Sequence, residues 1–290
     1  MKRLTLLLAT AAICLTALTV SAQEKKDTIR IGGMVIVKEG KTNGGRDRSV
    51  RMRRDNSPKK LRNVSTNWGI LDLGFSNYDD KTVYNPAGMG GYLVDRPGYP
   101  ALGKSDFKLR TGKSVNVNIW LFMQRVNLIK HHVNLKYGLG LELNNYRYKS
   151  SISYRESGAE PYSNVPAIRT APFIFRDSIA FSKNKLAADY LTVPFMLNFT
   201  SHPAHNNKGV SLSVGVSAGY LYSQRNKQKS DERGKLRNKG DYDLERFKFS
   251  YVAELGIGPI RLYGSYSPQS MYKRTLDMRP YTIGLRFSNW

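Results

Sequence analysis

Four groups of residues in this 290-residue chain have types and spacings that could carry chemistry. The first is a set of charges inside otherwise apolar, alternating stretches: Asp72, Lys136, Glu142, Lys248, Glu254, Arg261 and Arg286, with Asn116, Asn118 and Asn144 beside them. Charges among apolar residues must pair or be hydrogen-bonded, because an unpaired one is costly to desolvate. The set reads as a structural network of ion pairs and amide hydrogen bonds. The second group is His131-His132 and His202-x-x-His205. Imidazoles at such spacings can act as bases or hold zinc, copper or nickel. The third is Asp231-Glu232, a carboxylate pair set among Arg225, Lys227, Lys229, Arg233, Lys235, Arg237 and Lys239, which reads as a solvated charge run. The fourth is a basic cluster, Arg46, Arg48, Arg51, Arg53, Arg54, Lys59, Lys60 and Arg62, suited to an anionic lipid surface or an acidic partner. None of these groups is assigned as catalytic, cofactor-binding or metal-binding, and no cofactor is expected.

The elements that would position the first group are strands. In Val133–Asn144, the residues Val133, Leu135, Tyr137, Leu139, Leu141 and Leu143 fall on one parity. Asn134, Lys136, Gly138, Gly140, Glu142 and Asn144 fall on the other. Only a period of two separates them this cleanly. The run exceeds the usual globular strand of about 5–6 residues and suits a tilted membrane-spanning strand of roughly 9–11. Seven more stretches alternate in the same way: 67–76, 113–125, 186–199, 209–222, 247–257, 260–267 and 279–290. Asp72 lies in the first of the eight and Arg286 in the last, so they are neighbours if the sheet closes. Trp120 and Phe122 share the inward parity and argue against open conduction. Pro194 withholds a ladder donor, and a bulge is expected there.

The connections alternate in length. Residues 77–112, 147–185, 223–246 and 268–278 are long and polar, whereas 126–132, 200–208 and Gly258-Pro259 are short. Long outer loops and short periplasmic turns are the signature of an outer-membrane barrel. The expected fold is all-β: a transmembrane antiparallel up-and-down β-barrel of eight strands over residues 67–290. Eight strands give a lumen that side chains can fill, so the charged set reads as a plug. All four histidines fall in short turns, away from any outer-face site. Tyr78, Tyr84, Tyr92, Tyr99, Tyr154 and Tyr162 lie in long loops, where tyrosine suits recognition.

Residues 1–22 read as an export signal: Lys2 and Arg3, an apolar run, and Val20-Ser21-Ala22 before Gln23. Cleavage there removes Cys14, the only cysteine, so disulfides and thiolate chemistry are excluded. It also removes two positive charges from a net of +24, leaving +22. Residues 23–66 read as a basic, largely disordered periplasmic segment with a short hairpin at 27–37; within it, 38–63 carries ten basic residues against three acidic, a net of +7. Nucleic acid is not expected as a partner, since the chain is exported and its charge lies in loops and a tail.

NWGILDLGF at 67–75, KYGLGLELNNYRY at 136–148, KLAADYLTVPFMLNF at 185–199 and YTIGLRF at 281–287 together resemble the PorT-like outer-membrane β-barrel proteins of Gram-negative bacteria. The resemblance spans roughly the last three-quarters of the chain. It implies residence in the cell outer membrane and a terminal strand read by the barrel-assembly machinery during insertion, although Trp290 is on the opposite parity from Phe287. Named members of that family take part in protein secretion or gliding and most have no assigned role, so a secretion-associated role comes to this chain by analogy alone. The expected function is a non-enzymatic anchoring, interaction or secretion-associated component of the cell envelope. Its expected partners are outer-membrane lipid, lipopolysaccharide and an envelope protein. The competing readings are an outer-membrane lipid- or peptide-processing enzyme and a narrow pore for ions or small solutes.

Overall fold

A computed structural model describes residues 28–31, 34–39, 49–54, 61–85, 91–163, 168–205 and 209–288, with side chains from residue 61 onward. The chain divides into two units, Met1–Asp55 and Asn56–Trp290. In the first, β1 (Thr28–Ile31), β2 (Met34–Glu39) and β3 (Ser49–Arg54) form an antiparallel meander in that order. The third strand departs from the disordered segment expected here. SVRMRR alternates Val50 and Met52 with Arg51 and Arg53, a period-two pattern that a charge count conceals. The export signal at 1–22 lies outside the described residues.

The second unit carries eight long strands: β4 (Val64–Asp80), β6 (Val115–Ile129), β7 (Val133–Arg147), β12 (Lys183–Thr200), β13 (Val210–Ser230), β15 (Phe247–Ile257), β16 (Ile260–Tyr266) and β17 (Met278–Phe287). Among the described residues, six short ones lie in its connections: β5 (Leu93–Val94), β8 (Ile152–Arg155), β9 (Gly158–Ala159), β10 (Ile168–Arg169), β11 (Phe173–Arg176) and β14 (Gly234–Lys239). Each long strand pairs antiparallel with the next in the chain, and β17 pairs with β4, closing a ring of eight. No helix among the described residues is long and apolar enough to cross a membrane.

The two faces of the ring differ as the alternation requires. Leu71, Leu73 and Phe75, Leu191 to Phe199, Val210 to Val216, and Ile283 to Phe287 point outward on their parity and stay exposed; Phe247 is 60% and Ile283 61% exposed. Soluble monomers rarely expose an apolar patch above roughly 300–600 Å². Here the apolar band girdles the ring. The other parity is buried, and it holds Asp72, Asn116, Lys136, Glu142, Glu254 and Arg286.

Two local expectations are corrected. Leu121 has no cross-strand partner on β4 or β7; against β7 the register slips by one residue between Trp120 and Phe122, while against β4 it is kept, with Gly69 unpaired opposite Leu121. A one-residue bulge exchanges the faces beyond it. Phe122 is therefore not inward: its ring packs at a tilt against exposed Trp68, centroids 5.9 Å apart, and Met123 takes the fully buried place. Pro194 makes no bulge. The β7 ladder leaves Val193 and Pro194 unpaired but resumes in the same register, while the bulge in the β12–β13 ladder lies on β13, where Tyr222 is the extra residue opposite Asp189 and Tyr190. A missing N–H opens a rung without adding a residue, so no shift follows.

The long connections are folded rather than open. β5 and β8 pair with β11, β9 pairs with β10, and β13 runs on past the ring to pair with β14. The stretch read as a loop over 223–246 is thus mostly a hairpin, with Asp231 and Glu232 exposed at its turn. Among the described residues, the short connections hold 130–132, 201–205 and 258–259.

Candidate functional site

Inside the ring, side chains from opposite walls meet. Arg286 on β17 forks onto Asp72 of the adjacent β4, with Nε to Oδ1 and Nη2 to Oδ2 both 2.7 Å. Its remaining nitrogen, Nη1, donates to Glu254 Oε2 at 2.5 Å, and Lys136 reaches the same oxygen from β7, also at 2.5 Å. Asp72 further accepts from Trp120 Nε1 at 2.7 Å and Asn118 Nδ2 at 3.1 Å. Two carboxylates and two cations are thus held in one neutral cluster, with side chains at most 4% exposed. A second cluster lies beside it. Lys248 pairs with Glu142, which also accepts from Asn144 at 2.9 Å and Thr192 at 3.3 Å. Amides link the two levels: Asn116 donates to Asn144 and Asn118 and accepts from Tyr263.

Local sequence explains the fit. Gly74 and Gly284 face each other on β4 and β17, and the Tyr263 ring lies across them; a Cβ at Gly74 would sit 2.6 Å from the Tyr263 hydroxyl. Two glycines therefore make room for one aromatic. The Arg286 guanidinium lies 5.4 Å from the Trp120 ring centroid and 6.0 Å from that of Tyr263. Planar guanidinium suits both the bidentate carboxylate and the stacked ring. The space left is small. A cavity of about 30 Å³ borders Thr192, Met196, Tyr263 and Arg286, and another of about 10 Å³ borders Arg125, Lys136 and Arg261. Voids of that size hold on the order of one or two waters. Arg261 shares this second cavity with Lys136 and Glu254 and donates to Ser211 at 3.3 Å.

Beyond the ring the interior changes character. Tyr148, Tyr154 and Tyr272 form a hydroxyl chain, 2.6 Å and 2.8 Å between oxygens. Tyr92 donates to the Tyr242 carbonyl at 2.7 Å, and Tyr78 donates to the Phe107 carbonyl. Their rings pack together, with Tyr154 and Tyr242 centroids 5.6 Å apart and Tyr148 and Phe107 edge to face at 6.4 Å. Leu102, Ile152, Ile174, Leu244 and Met271 complete this cap. Burial pushes Tyr154, Tyr272 and Tyr92 well above the ordinary tyrosine range and Tyr148 up to about 12. The recognition role read for the loop tyrosines is corrected for Tyr78, Tyr92 and Tyr154, which are core. Tyr99 and Tyr162 stay exposed, flanking Arg96 at 4.3 Å and 5.9 Å.

The remaining candidates separate. His132 Nδ1 lies 2.8 Å from the Thr200 carbonyl, and His202 Nδ1 lies 2.9 Å from Ser201 Oγ, so both rings are tied to turn backbone or hydroxyl. No group of three or more metal-ligating side chains occurs among the described residues. Arg46, Arg48, Lys59 and Lys60 lie outside the described residues, as do Asn289 and Trp290. Arg51, Arg53 and Arg54 lie on β3, and Arg62 is exposed just before β4. The acids of the interior are held by cations, its aromatics fill space, and the arrangement is built to close a lumen.

Comparison with known proteins agrees with this architecture. The profile of the family described as outer membrane protein beta-barrel domain matches residues 73–268. No curated protein matches the chain's sequence. Among solved structures, the crystal structure of Ail, the attachment invasion locus protein of Yersinia pestis, is similar over 78% of this chain and 100% of that one. Sequence identity is 11% and the TM-score 0.29, a likeness too loose to bear on fold or function.

Proposed function

We propose that this chain, which belongs to the outer membrane protein β-barrel domain family, is a PorT-like eight-stranded barrel that works as a non-enzymatic anchoring, interaction or secretion-associated component of a Gram-negative envelope. In this reading the apolar band faces outer-membrane lipid. The folded cap points out of the cell, and the turns at 130–132, 201–205 and 258–259 face the periplasm. The basic segment before the ring is then periplasmic and available to an envelope partner. Lipopolysaccharide surrounds the cap, and the barrel-assembly machinery inserts the chain.

The observation that carries the reading is the filled lumen. Arg286, Asp72, Glu254 and Lys136 satisfy one another across a ring whose outside is apolar. A plugged barrel leaves its surfaces and its tail to act, which favours interaction over transport. The test uses planar bilayers and cysteine labelling. Wild-type protein should give no resolved single-channel steps across salts and voltages. Cys14 is the only cysteine in the sequence, so single cysteines report topology cleanly. On whole cells, a membrane-impermeant maleimide should label Asp231→Cys in the cap and spare Lys130→Cys in a short turn. Steady conductance would favour the pore reading, and reversed labelling would overturn the orientation.

A further inference from the structure

Above the apolar band, the outward parity of four neighbouring strands turns basic. On β12 the outward column runs Phe195, Val193 and Leu191 and then, on the same parity, reaches Lys185 and Lys183. On β13 it runs Val216, Ala218 and Tyr220 and then Arg225, Lys227 and Lys229. The register sets like charges directly opposite one another. Lys185 faces Arg147 on β7 and Lys227 on β13, and Lys227 faces Arg237 on β14. One row of four cations thus crosses four strands. A second row is Lys183, Lys229 and Lys235, and a third pairs Arg225 with Lys239. The alternate residues Asn184, Leu186, Asn226 and Gln228 are buried, so the cations share the outer wall.

Like charges in directly opposed positions destabilise a sheet. Compensation within the protein is slight. Asp189 pairs with Arg225, Lys185 donates to the Asn145 amide oxygen at 2.6 Å, and Arg147 donates to the Ser182 carbonyl at 2.9 Å. Among the described residues, no carboxylate forms an ion pair with Lys183, Lys185, Lys227, Lys229, Lys235 or Arg237. The Nε atoms of Arg147 and Arg225 make no hydrogen bond among the described residues. Burial and the surrounding cations push Lys185 down to about 8. A surface that repels itself in this way is complementary to closely spaced anions.

Position identifies the anions. At ~3.3 Å per residue and a tilt of about 45°, Arg225 stands ~7 Å above Tyr222, the end of the apolar column on β13, and Lys185 stands ~14 Å above Leu191. That is the level of the phosphates and first sugars of a membrane glycolipid. We propose that the outer wall formed by β7, β12, β13 and β14 is a binding site for the phosphate groups of an outer-leaflet glycolipid, with the row Arg147, Lys185, Lys227 and Arg237 at its centre. This rests on the membrane reading above and names the lipid that one side of the barrel selects.

The test uses full-length protein inserted in phosphatidylcholine vesicles, with insertion confirmed by heat-modifiable mobility. The probes are bisphosphorylated lipid A, dephosphorylated lipid A and inorganic phosphate. Phosphorylated lipid A should bind, dephosphorylated lipid A should bind at least tenfold more weakly, and inorganic phosphate should not compete at millimolar levels. The variant Lys185→Gln, Lys227→Gln, Arg237→Gln should bind phosphorylated lipid A at least tenfold more weakly. In lipid-A-free vesicles it should unfold at a higher temperature than wild type, because the repulsion is gone. The control Lys81→Gln, Lys104→Gln, Lys273→Gln removes the same charge from exposed positions in the connections after β4 and before β17, away from the row, and should bind like wild type. Equal weakening in the control would reduce the effect to net charge and overturn the site, as would unchanged binding in the row variant. Competition by inorganic phosphate would assign the row to a free anion and also overturn it. Failure to insert would instead strike the membrane reading.

Discussion

The lumen of the ring and the cap above it are both buried interiors of one unit, yet they hold together by opposite means. In the lumen the space between walls is spanned by formal charges, with Arg286 serving two carboxylates and Lys136 completing the second. In the cap it is spanned by rings, with Tyr148, Tyr154, Tyr242 and Tyr272 in mutual contact and their hydroxyls joined to one another or to carbonyls. The difference follows from what each region must do. A ring of strands has fixed width and few apolar positions inside, so long charged side chains that meet halfway are what can fill it. The cap gathers loops of different length, and there a tyrosine supplies bulk and one adaptable polar end. Charge networks fail abruptly when one member is lost, whereas aromatic packing gives way in proportion to what is removed.

The largest effect should come from Glu254→Ala. It leaves Lys136 and Arg286 as neighbouring buried cations without their shared acceptor, a loss of about 3–5 kcal/mol. Folding of the whole ring should suffer. In a gel assay with increasing urea, the midpoint for loss of heat-modifiable mobility should fall steeply. Glu254→Met with Lys136→Met should recover much of it, because removing both partners removes the uncompensated charge. A small, local effect of Glu254→Ala would show that the lumen is water-filled and the contrast with the cap false.

Tyr154→Ala should cost a similar amount, about 3–5 kcal/mol, but in a different place. It opens a hole among Tyr148, Tyr242 and Tyr272 and removes both hydroxyl bonds. The ring should remain heat-modifiable while limited proteolysis begins to cut within residues 150–182. Loss of ring and cap together would mean the two interiors unfold as one.

How far these regions could be read from the sequence differs in the same way. The alternation in Val133–Asn144 and in 281–287 places Lys136, Glu142 and Arg286 on one face, because period two leaves a strand no other choice. The ends Asp72 and Arg286 become neighbours once the eight strands close. The slip at Leu121, which turns Phe122 out and Met123 in, leaves no mark in residue type. The cap was not legible. Tyr92 meets Tyr242 and Tyr154 meets Tyr272 across more than a hundred residues, and loop tyrosines look alike whether they end in a core or in solvent. The cationic rows were hidden too. As a sequence, Arg225 to Lys239 is a charge run; only the tight turn after Ser230 stacks it into paired columns.

Alkaline titration separates the interiors without mutation. Burial pushes both Tyr148 and Tyr242 up to about 12, against about 10 for an unfolded tyrosine. Because the neutral form is favoured in the folded cap, its contribution to stability is fully present below about pH 10 and is lost as pH rises through 12. Absorbance at 295 nm should show a late tyrosinate step near pH 12, accompanied by protease sensitivity of the cap. The step should shrink in Tyr148→Phe with Tyr242→Phe. A single step near pH 10 with the cap still protected would mean these rings are wet.

The smallest expected effect, Tyr154→Phe, bears most directly on the contrast. It keeps the ring that packs against Tyr148 and Tyr242 and deletes only the oxygen between the hydroxyls of Tyr148 and Tyr272. A neutral hydrogen bond contributes about 0.5–1.5 kcal/mol net, so the loss of two should total about 1–3 kcal/mol. It should fall near the low end, because each orphaned hydroxyl can rotate toward other acceptors. If packing dominates, Tyr154→Phe will destabilise the cap by less than half as much as Tyr154→Ala, measured by native-state proteolysis rate within residues 150–182. If the two variants are equal, the hydroxyl chain carries the cap. The cap would then be, like the lumen, a polar network that fails with one member, and the difference between the two interiors would reduce to charge alone.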